Sequence, residues 1–204
     1  MPVVQQAKQL PASPGPVSVQ WIMHSVVAPS QSPYTLQTQT IEWSGQQWVA
    51  KIDMPPMKRQ TAAPWMAFFA SLHGMANVFQ LGPLECARPL GIATGAPVVD
   101  GANNAGSSIE TRGWTASVNG ILLAGDFIQI GNRLHLIVNT ENSDATGRAS
   151  FDIWPDLRET PGDGTPIIIN NPQGLFRLST NDPGWSVDAA FNWDDFSFTA
   201  VEAI

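Results

Sequence analysis

Residues 61–74, TAAPWMAFFASLHG, contain the clearest helix signal in the chain. Four large apolar residues recur there at the spacing i, i+3, i+4 and i+7, which places them on one face of a helix. They are Trp65, Phe68, Phe69 and Leu72. Thr61 is a preferred N-cap residue, and Gly74 supplies the left-handed conformation that ends many helices. We therefore predict one amphipathic helix over residues 61–73 that packs its apolar face against another element.

The residues before this helix predict strands. Alternating polar and apolar residues, or runs rich in threonine and aromatic side chains, occur at 17–23, 34–43 and 48–53. A Ser-Gly pair separates the second run from the third, so we predict a hairpin in which Trp43 and Trp48 face each other. Residues 1–16 contain four prolines and predict an extended lead-in that becomes ordered against a neighbouring subunit.

The residues after the helix predict a small barrel followed by further strands. Residues 127–130 and 133–138 flank a Gly-Asn pair, which is a strong hairpin signal. Another predicted strand, 149–154, stops at Pro155 because proline cannot donate to a sheet ladder. The Pro- and Gly-rich residues 160–166 predict a linker. Beyond it, strand-like runs occur at 167–169, 174–178, 186–192 and 196–201.

These patterns predict a mainly β protein with one α-helix and two domains. Residues 1–83 and 161–204 form a β-sandwich or barrel that contains the helix, and residues 84–160 form an inserted small β-barrel. At 204 residues the chain is long enough for each part to bury a core.

The composition argues against several classes of partner. Only 13% of the residues are charged, which is typical of a protein whose surface is covered by partners and also of a poorly soluble one. The net charge of −7, with only ten Lys and Arg, argues against specific duplex binding. No apolar run is long enough to span a bilayer, and the N-terminus lacks the pattern of a signal peptide. The single cysteine, Cys86, predicts a chain that matures without disulfides.

The sequence predicts no catalytic, cofactor-binding or metal-binding residue. The three histidines, His24, His73 and His135, fall on three separate predicted elements, and no pair has metal-ligand spacing. His73 more simply complements the helix dipole, and Asp126 more simply caps a turn. Cys86 is two residues from Arg88, which could lower a thiol pKa, but a buried inert cysteine is commoner.

Structural roles are also favoured for the remaining candidates, which are an aspartate pair, the glycine-rich loops and the tryptophans. The carboxylates Asp194 and Asp195 are adjacent in a predicted strand and therefore point to opposite faces. No glycine-rich phosphate loop opens a helix. Eight tryptophans stand against one tyrosine. Exposed tryptophans can stack on sugar rings, but a core or subunit-interface role is favoured for most of them.

The order of these elements resembles the distal tail proteins of long-tailed (siphovirus) bacteriophages. The stretches that carry the resemblance are APWMAFFASLHG (63–74), LAGDFIQI (123–130), WPDLR (154–158) and GLFRL (174–178). Together with the spacing between them, they cover most of the chain. None of them is a catalytic signature.

The resemblance implies a structural virion protein at the tail tip, synthesised in the host cytoplasm. It implies a homohexameric ring that joins the tail tube to the hub and lets DNA pass without specific binding. The implied partners are the tail tube protein, the tail hub, the tape measure protein, and tail fibres or a receptor-binding protein, with no membrane. The inserted segment 84–160 would resemble an oligonucleotide/oligosaccharide-binding (OB) barrel.

The sequence is also compatible with two other functions. The tryptophans and the small barrel also fit a carbohydrate- or host-surface-binding module. A hydrolase using Cys86 or a histidine is the third alternative.

Overall fold

The structure, a computed structural model, describes residues 7–204, which contain fourteen strands, one α-helix and a short 3-10 helix at Leu84–Cys86. The first half holds β1 (Ser18–Gln31), β2 (Thr38–Asp53), β3 (Met57–Lys58), α1 (Arg59–Leu72), β4 (Phe79–Leu81), β5 (Gly95–Val99) and β6 (Gly106–Trp114). The second half holds β7 (Phe127–Ile130), β8 (Arg133–Ile137), β9 (Arg148–Leu157), β10 (Ile167–Ile168), β11 (Gly174–Leu178), β12 (Ser186–Val187), β13 (Asn192–Asp194) and β14 (Phe198–Glu202). The predicted mainly β fold with one α-helix is therefore confirmed.

A five-stranded antiparallel sheet has the order β1-β2-β14-β11-β4. Three of its strands precede the barrel segment in the chain and two follow it. A second, three-stranded sheet has the order β12-β13-β3 and leads directly into the helix. Helix α1 packs its aromatic face into the core that these sheets share.

Helix α1 carries the predicted apolar stripe, and all four side chains of that stripe are buried. Its predicted start was wrong, because the helix begins at Arg59 and Thr61 lies inside its first turn. The reason is that β3 pairs with β13 and holds Lys58 extended, so the helix begins at the next residue. At the other end His73 (φ 50°) already adopts the left-handed conformation, and Gly74 (φ 65°) continues it.

The predicted hairpin around the Ser-Gly pair was wrong. Strand β2 runs without a break for 16 residues from Thr38 to Asp53, and it pairs along most of this length with the 14-residue strand β1. The true loop, residues 32–37, is closed by the Ser32 N–H donating to the Gln37 carbonyl (2.9 Å). The Ser-Gly pair is accommodated at an irregularity opposite residues 25–27, where the register of the two strands shifts.

Trp43 and Trp48 therefore lie on one strand and not across a hairpin. Trp43 is 57% exposed and Trp48 is 1% exposed.

A six-stranded sheet with the order β10-β7-β8-β9-β6-β5 forms a nearly closed barrel. A bridge between Val98 and Pro166 joins its two ends. The sixth strand, β10, lies beyond the predicted boundary at residue 160. Residues 160–166 are a tight turn that returns the chain to the barrel, and not a linker, because the Gly164 N–H donates to the Val99 carbonyl (3.0 Å).

Two other strand predictions need correction. Strand β9 continues through Pro155, because side chains satisfy the backbone there: His135 Nδ1 donates to the Pro155 carbonyl (2.7 Å), and Gln46 accepts from the Asp156 N–H (2.8 Å). The strand predicted at residues 75–81 shrinks to β4, because the chain turns after the helix.

The N-terminal segment is ordered against its own chain where the structure describes it. Lys8 pairs in parallel with Phe79 at the outer edge of β4, and its N–H donates to the Val78 carbonyl (2.8 Å). Residues 1–6 of the predicted lead-in lie outside the described residues.

The outer face of the barrel packs against the five-stranded sheet. Phe127, Leu134, Leu136 and Trp154 all contact the core of that sheet. The barrel interior is a separate core, which includes Ile128 and Ile137.

The burial of the α1 stripe predicts that two Leu→Ala substitutions, one in the stripe and one on the surface, will lower the free energy of unfolding by very different amounts. Leu72→Ala removes a fully buried side chain and should lower the free energy of unfolding by about 2–5 kcal/mol. The matched control Leu90→Ala, at a residue 78% exposed, should change it by less than about 0.5 kcal/mol. Urea denaturation followed by tryptophan fluorescence measures both. Equal effects would contradict this description of the core.

Candidate interaction surface

The most unusual surface is the far half of the β1–β2 hairpin, residues 25–44, here called the hairpin arm. Near the body of the protein β2 alternates buried and partly exposed residues, because it packs between β1 and β14. In the arm every residue except Ser32 is exposed on both faces of the ribbon. Seven residues of β1 in extended conformation, Ser25–Gln31, span about 20 Å, and all of them except Val26 pair with β2.

The arm carries large apolar side chains that no other described part of the chain covers. Tyr34 and Leu36 at its tip are 94% and 69% exposed, and Ile41 is 56% exposed. Ile41 and Trp43 lie two residues apart on β2 and therefore share one face. Ala28 is the direct cross-strand partner of Ile41, so it extends the same apolar face.

The arm contains only one charged residue, Glu42. Residues 25–41 contain no Asp, Glu, Lys or Arg, and the first charged residue after them is Glu42. Natural proteins usually protect exposed strand edges with charged side chains, especially lysine. An exposed hairpin that carries large apolar side chains and almost no charge is typical of a surface that a partner covers.

The candidate nucleophile and bases lie apart. Cys86 ends the short 3-10 helix, His24 is exposed next to the arm, and His73 ends α1. Burial raises the pKa of the Cys86 thiol, and the charges of Glu85 and Asp126 raise it further. This is the opposite of what an activated thiolate requires, and Arg88 does not lower the thiol pKa.

His135 lies inside the barrel and is 3% exposed. Its Nδ1 lies 2.7 Å from the Pro155 carbonyl, which can only accept, so Nδ1 carries the proton. Burial, with a smaller contribution from the charge of Arg133, lowers the pKa of His135 to about 4 against the opposing effect of that hydrogen bond. A neutral, buried and hydrogen-bonded imidazole fits a packing role.

Asp126 caps its own turn, as the sequence predicted, and also binds a second segment of the chain. Its buried carboxylate accepts hydrogen bonds from the N–H groups of Leu90 (2.7 Å), Gly91 (3.1 Å) and Leu123 (2.8 Å). One side chain therefore ties the loop that enters the barrel to the turn before β7.

A network that the sequence did not reveal fastens the turn at residues 160–166. Arg112 pairs with Asp100 (2.7 Å) and with Asp163 (2.5 Å), and Arg148 also pairs with Asp100 (3.1 Å). The hydrogen bond from Arg112 lowers the pKa of Asp163 to about 2. These residues are far apart in sequence, so no local pattern could have indicated the network.

Residues 7–204 contain neither a candidate metal-ion site nor a helix that could cross a membrane. In this range no three His, Cys, Asp or Glu side chains come together in a way that could hold a metal ion. Asp194 ends β13 and Asp195 follows it in the left-handed region, where its carboxylate accepts from Ser186 Oγ (2.8 Å). No helix in the described part of the chain is long and apolar enough to cross a membrane.

The tryptophans divide between core and surface. Trp48, Trp65 and Trp114 are buried, whereas Trp43 and Trp185 are exposed. Trp185 stacks on Phe196 with ring centroids 5.6 Å apart and lines a shallow cavity of about 290 Å³ beside the end of α1. A sugar ring could stack on the exposed part of Trp185 in that cavity.

Comparisons with known proteins identify no family. No protein-family model matches the chain, and no curated protein matches it either.

The buried His135 predicts a loss of stability in mild acid. Its pKa is about 4 in the folded protein and about 6.5 in an unfolded chain, so between these values the unfolded state binds a proton that the folded state does not. The free energy of unfolding should therefore fall by roughly 3 kcal/mol as the pH drops from 7 to 4. Urea denaturation at a series of pH values measures this slope.

His135→Asn, which can keep a donor to the Pro155 carbonyl, should flatten the slope between pH 6.5 and pH 4. The exposed control His24→Asn should leave it unchanged. A His135→Asn slope equal to the wild-type slope would contradict this assignment.

Asp126 predicts a local loosening when its carboxylate is removed. Asp126→Ala leaves three N–H groups in a partly buried site without their acceptor and should cost about 1–3 kcal/mol of unfolding free energy. Hydrogen exchange should speed up at Leu90, Gly91 and Leu123. The exposed control Asp152→Ala should change neither quantity, and unchanged exchange in Asp126→Ala would rule out the proposed tie.

Proposed function

We propose that this chain is a structural subunit of a bacteriophage tail tip, of the distal tail protein type. In this proposal six copies form a ring that joins the tail tube to the hub and receptor-binding apparatus. DNA passes through the ring without specific binding.

The observation that carries the proposal is the order in which the chain builds its two main sheets. The five-stranded sheet takes β1, β2 and β4 from before the barrel and β11 and β14 from after it. A helix-bearing β unit interrupted by a small barrel is the arrangement that the resemblance to distal tail proteins implies. The stretches that carry the resemblance lie in α1, β7, β9 and β11 and therefore in both sheets.

The surface supports an assembly role more than a catalytic one. Over residues 25–41 the arm is uncharged and exposes several large apolar side chains, as interface surfaces do. The acidic net charge of −7 would repel passing DNA and not hold it. Cys86, with its raised pKa, and the three separated histidines offer no nucleophile and base in contact.

The proposal predicts where the protein is found. Antibodies against the purified chain should label the distal end of the tail in negatively stained particles of the phage that encodes it. Interrupting the gene should give particles without complete tails, and a plasmid copy should restore them. Labelling of the capsid, or normal tails in the absence of the gene product, would contradict the proposal.

Carbohydrate binding remains the second candidate, and the Trp185 cavity is the observation that favours it. In that case a glycan array should give a signal that Trp185→Ala abolishes without loss of folding. The Trp43→Ala variant, at an exposed tryptophan that does not line the cavity, should keep the signal. An array without signal for the wild-type chain would remove this candidate.

A further inference from the structure

We propose that the hairpin arm is the contact between copies of this chain, so that the arm of each copy is covered by a neighbouring copy. This inference rests on the proposed function and names the surface that would hold the ring together. It assigns the contact to residues 25–44 and in particular to the face that bears Ile41 and Trp43.

The arm has little support beyond its own two strands. A two-stranded hairpin by itself is marginally stable in water, and none of residues 25–44 belongs to either hydrophobic core of the described chain. Between Thr38 and Trp48 strand β2 pairs only with β1 among the described residues, because β14 reaches only Val49–Ile52. The outer edge of β1 has no partner in the described chain. Both edges of the arm therefore present unpaired backbone groups.

The size of the surface fits a subunit contact. Seven large apolar side chains in or next to the arm are between 43% and 94% exposed: Met23, Val26, Val27, Tyr34, Leu36, Ile41 and Trp43. Their exposed area is on the order of the ~800 Å² that one partner buries in a standard interface. Aromatic and aliphatic anchors such as Trp43 and Ile41 are the residue types that dominate binding energy at such contacts.

A second copy of the chain is the occupant that the chemistry favours. A nucleic acid or a strongly charged protein would need charged groups to pair with, and residues 25–41 offer none. The arm needs cover as soon as the chain folds, and another copy is the partner that is always present at equal concentration. A repeated contact of one arm with the next copy is heterologous, and it closes a ring when the rotation between copies allows.

Full-length variants test the contact directly. Ile41→Lys/Trp43→Lys places two charges on the apolar face of the arm, whereas the control Leu90→Lys/Ile92→Lys places two charges on apolar residues at the barrel entrance that are 78% and 63% exposed. We expect sedimentation velocity to show an oligomer for the wild type and the control. The arm variant should be monomeric, with a dissociation constant at least about 100-fold higher and an unchanged near-UV circular dichroism spectrum.

Three results would overturn the inference. They are a wild-type chain that is monomeric at every concentration, an arm variant that assembles like the wild type, and a control that loses assembly as completely as the arm variant.

Hydrogen exchange on the wild-type chain tests the contact without any variant that could misfold. Amides of residues 25–31 and 38–44 should be protected at high protein concentration and exchange faster after dilution, while the amides of α1 stay unchanged. Fast exchange of the arm in the assembled protein would exclude it from the contact.

The outcomes separate this inference from the proposed function. If the protein assembles through the arm but antibodies do not label the tail tip, the proposed contact is supported and the proposed tail function is contradicted. A tail-tip ring that still forms from the arm variant would keep the tail function and reject the contact.

Discussion

The indole of Trp48 joins the two main sheets of the molecule. Its Nε1–H donates to the Leu134 carbonyl of the barrel (2.9 Å), and its ring meets the edge of Trp154 with centroids 4.6 Å apart. The backbone N–H of Trp48 donates to the buried carboxylate of Glu202 (3.2 Å), which also pairs with Arg133 on β8 (3.2 Å). Because a buried carboxylate or indole N–H is costly without its partner, these contacts fix how the barrel lies against the five-stranded sheet.

Strands β1 and β2 therefore have different surroundings at their two ends. Near Trp48, β1 and β2 lie among aromatic rings: Trp21 meets Trp48 and Phe176 at centroid distances of 5.8 Å. Beyond the register shift opposite residues 25–27 the ribbon leaves this core and becomes the hairpin arm. A base packed among aromatic rings continues into a long exposed ribbon with a single charged residue, which is the arrangement expected of a surface that meets a partner.

Sequence patterns predicted correctly those elements whose structure depends on residues close together in the chain. The stripe of α1 was visible because its i, i+3, i+4 and i+7 spacing places four apolar residues on one face, and the β7–β8 hairpin was visible in its Gly-Asn turn. Predictions failed where distant residues decide the structure. Pairing with β1 overrode the Ser-Gly turn signal, pairing of β3 with β13 moved the helix start, and bonds from His135 and Gln46 carried β9 past Pro155.

The candidate surface was hidden from the sequence for the same reason. An uncharged run over residues 25–41 is visible in the sequence, but only the structure shows that both faces of it are exposed. Asp126 was placed correctly as a turn cap because its role is partly local, through Leu123. The network around Arg112 and the pairing of Arg133 with the buried Glu202 join residues from distant parts of the chain, and no spacing rule could predict them.

Cryo-electron microscopy of the purified protein would show whether this chain forms the ring that we propose. We expect closed six-fold particles with an open central channel, in which the hairpin arm of each copy is covered by its neighbour. Particles that are monomers, or two-fold dimers with the arm exposed to solvent, would contradict it.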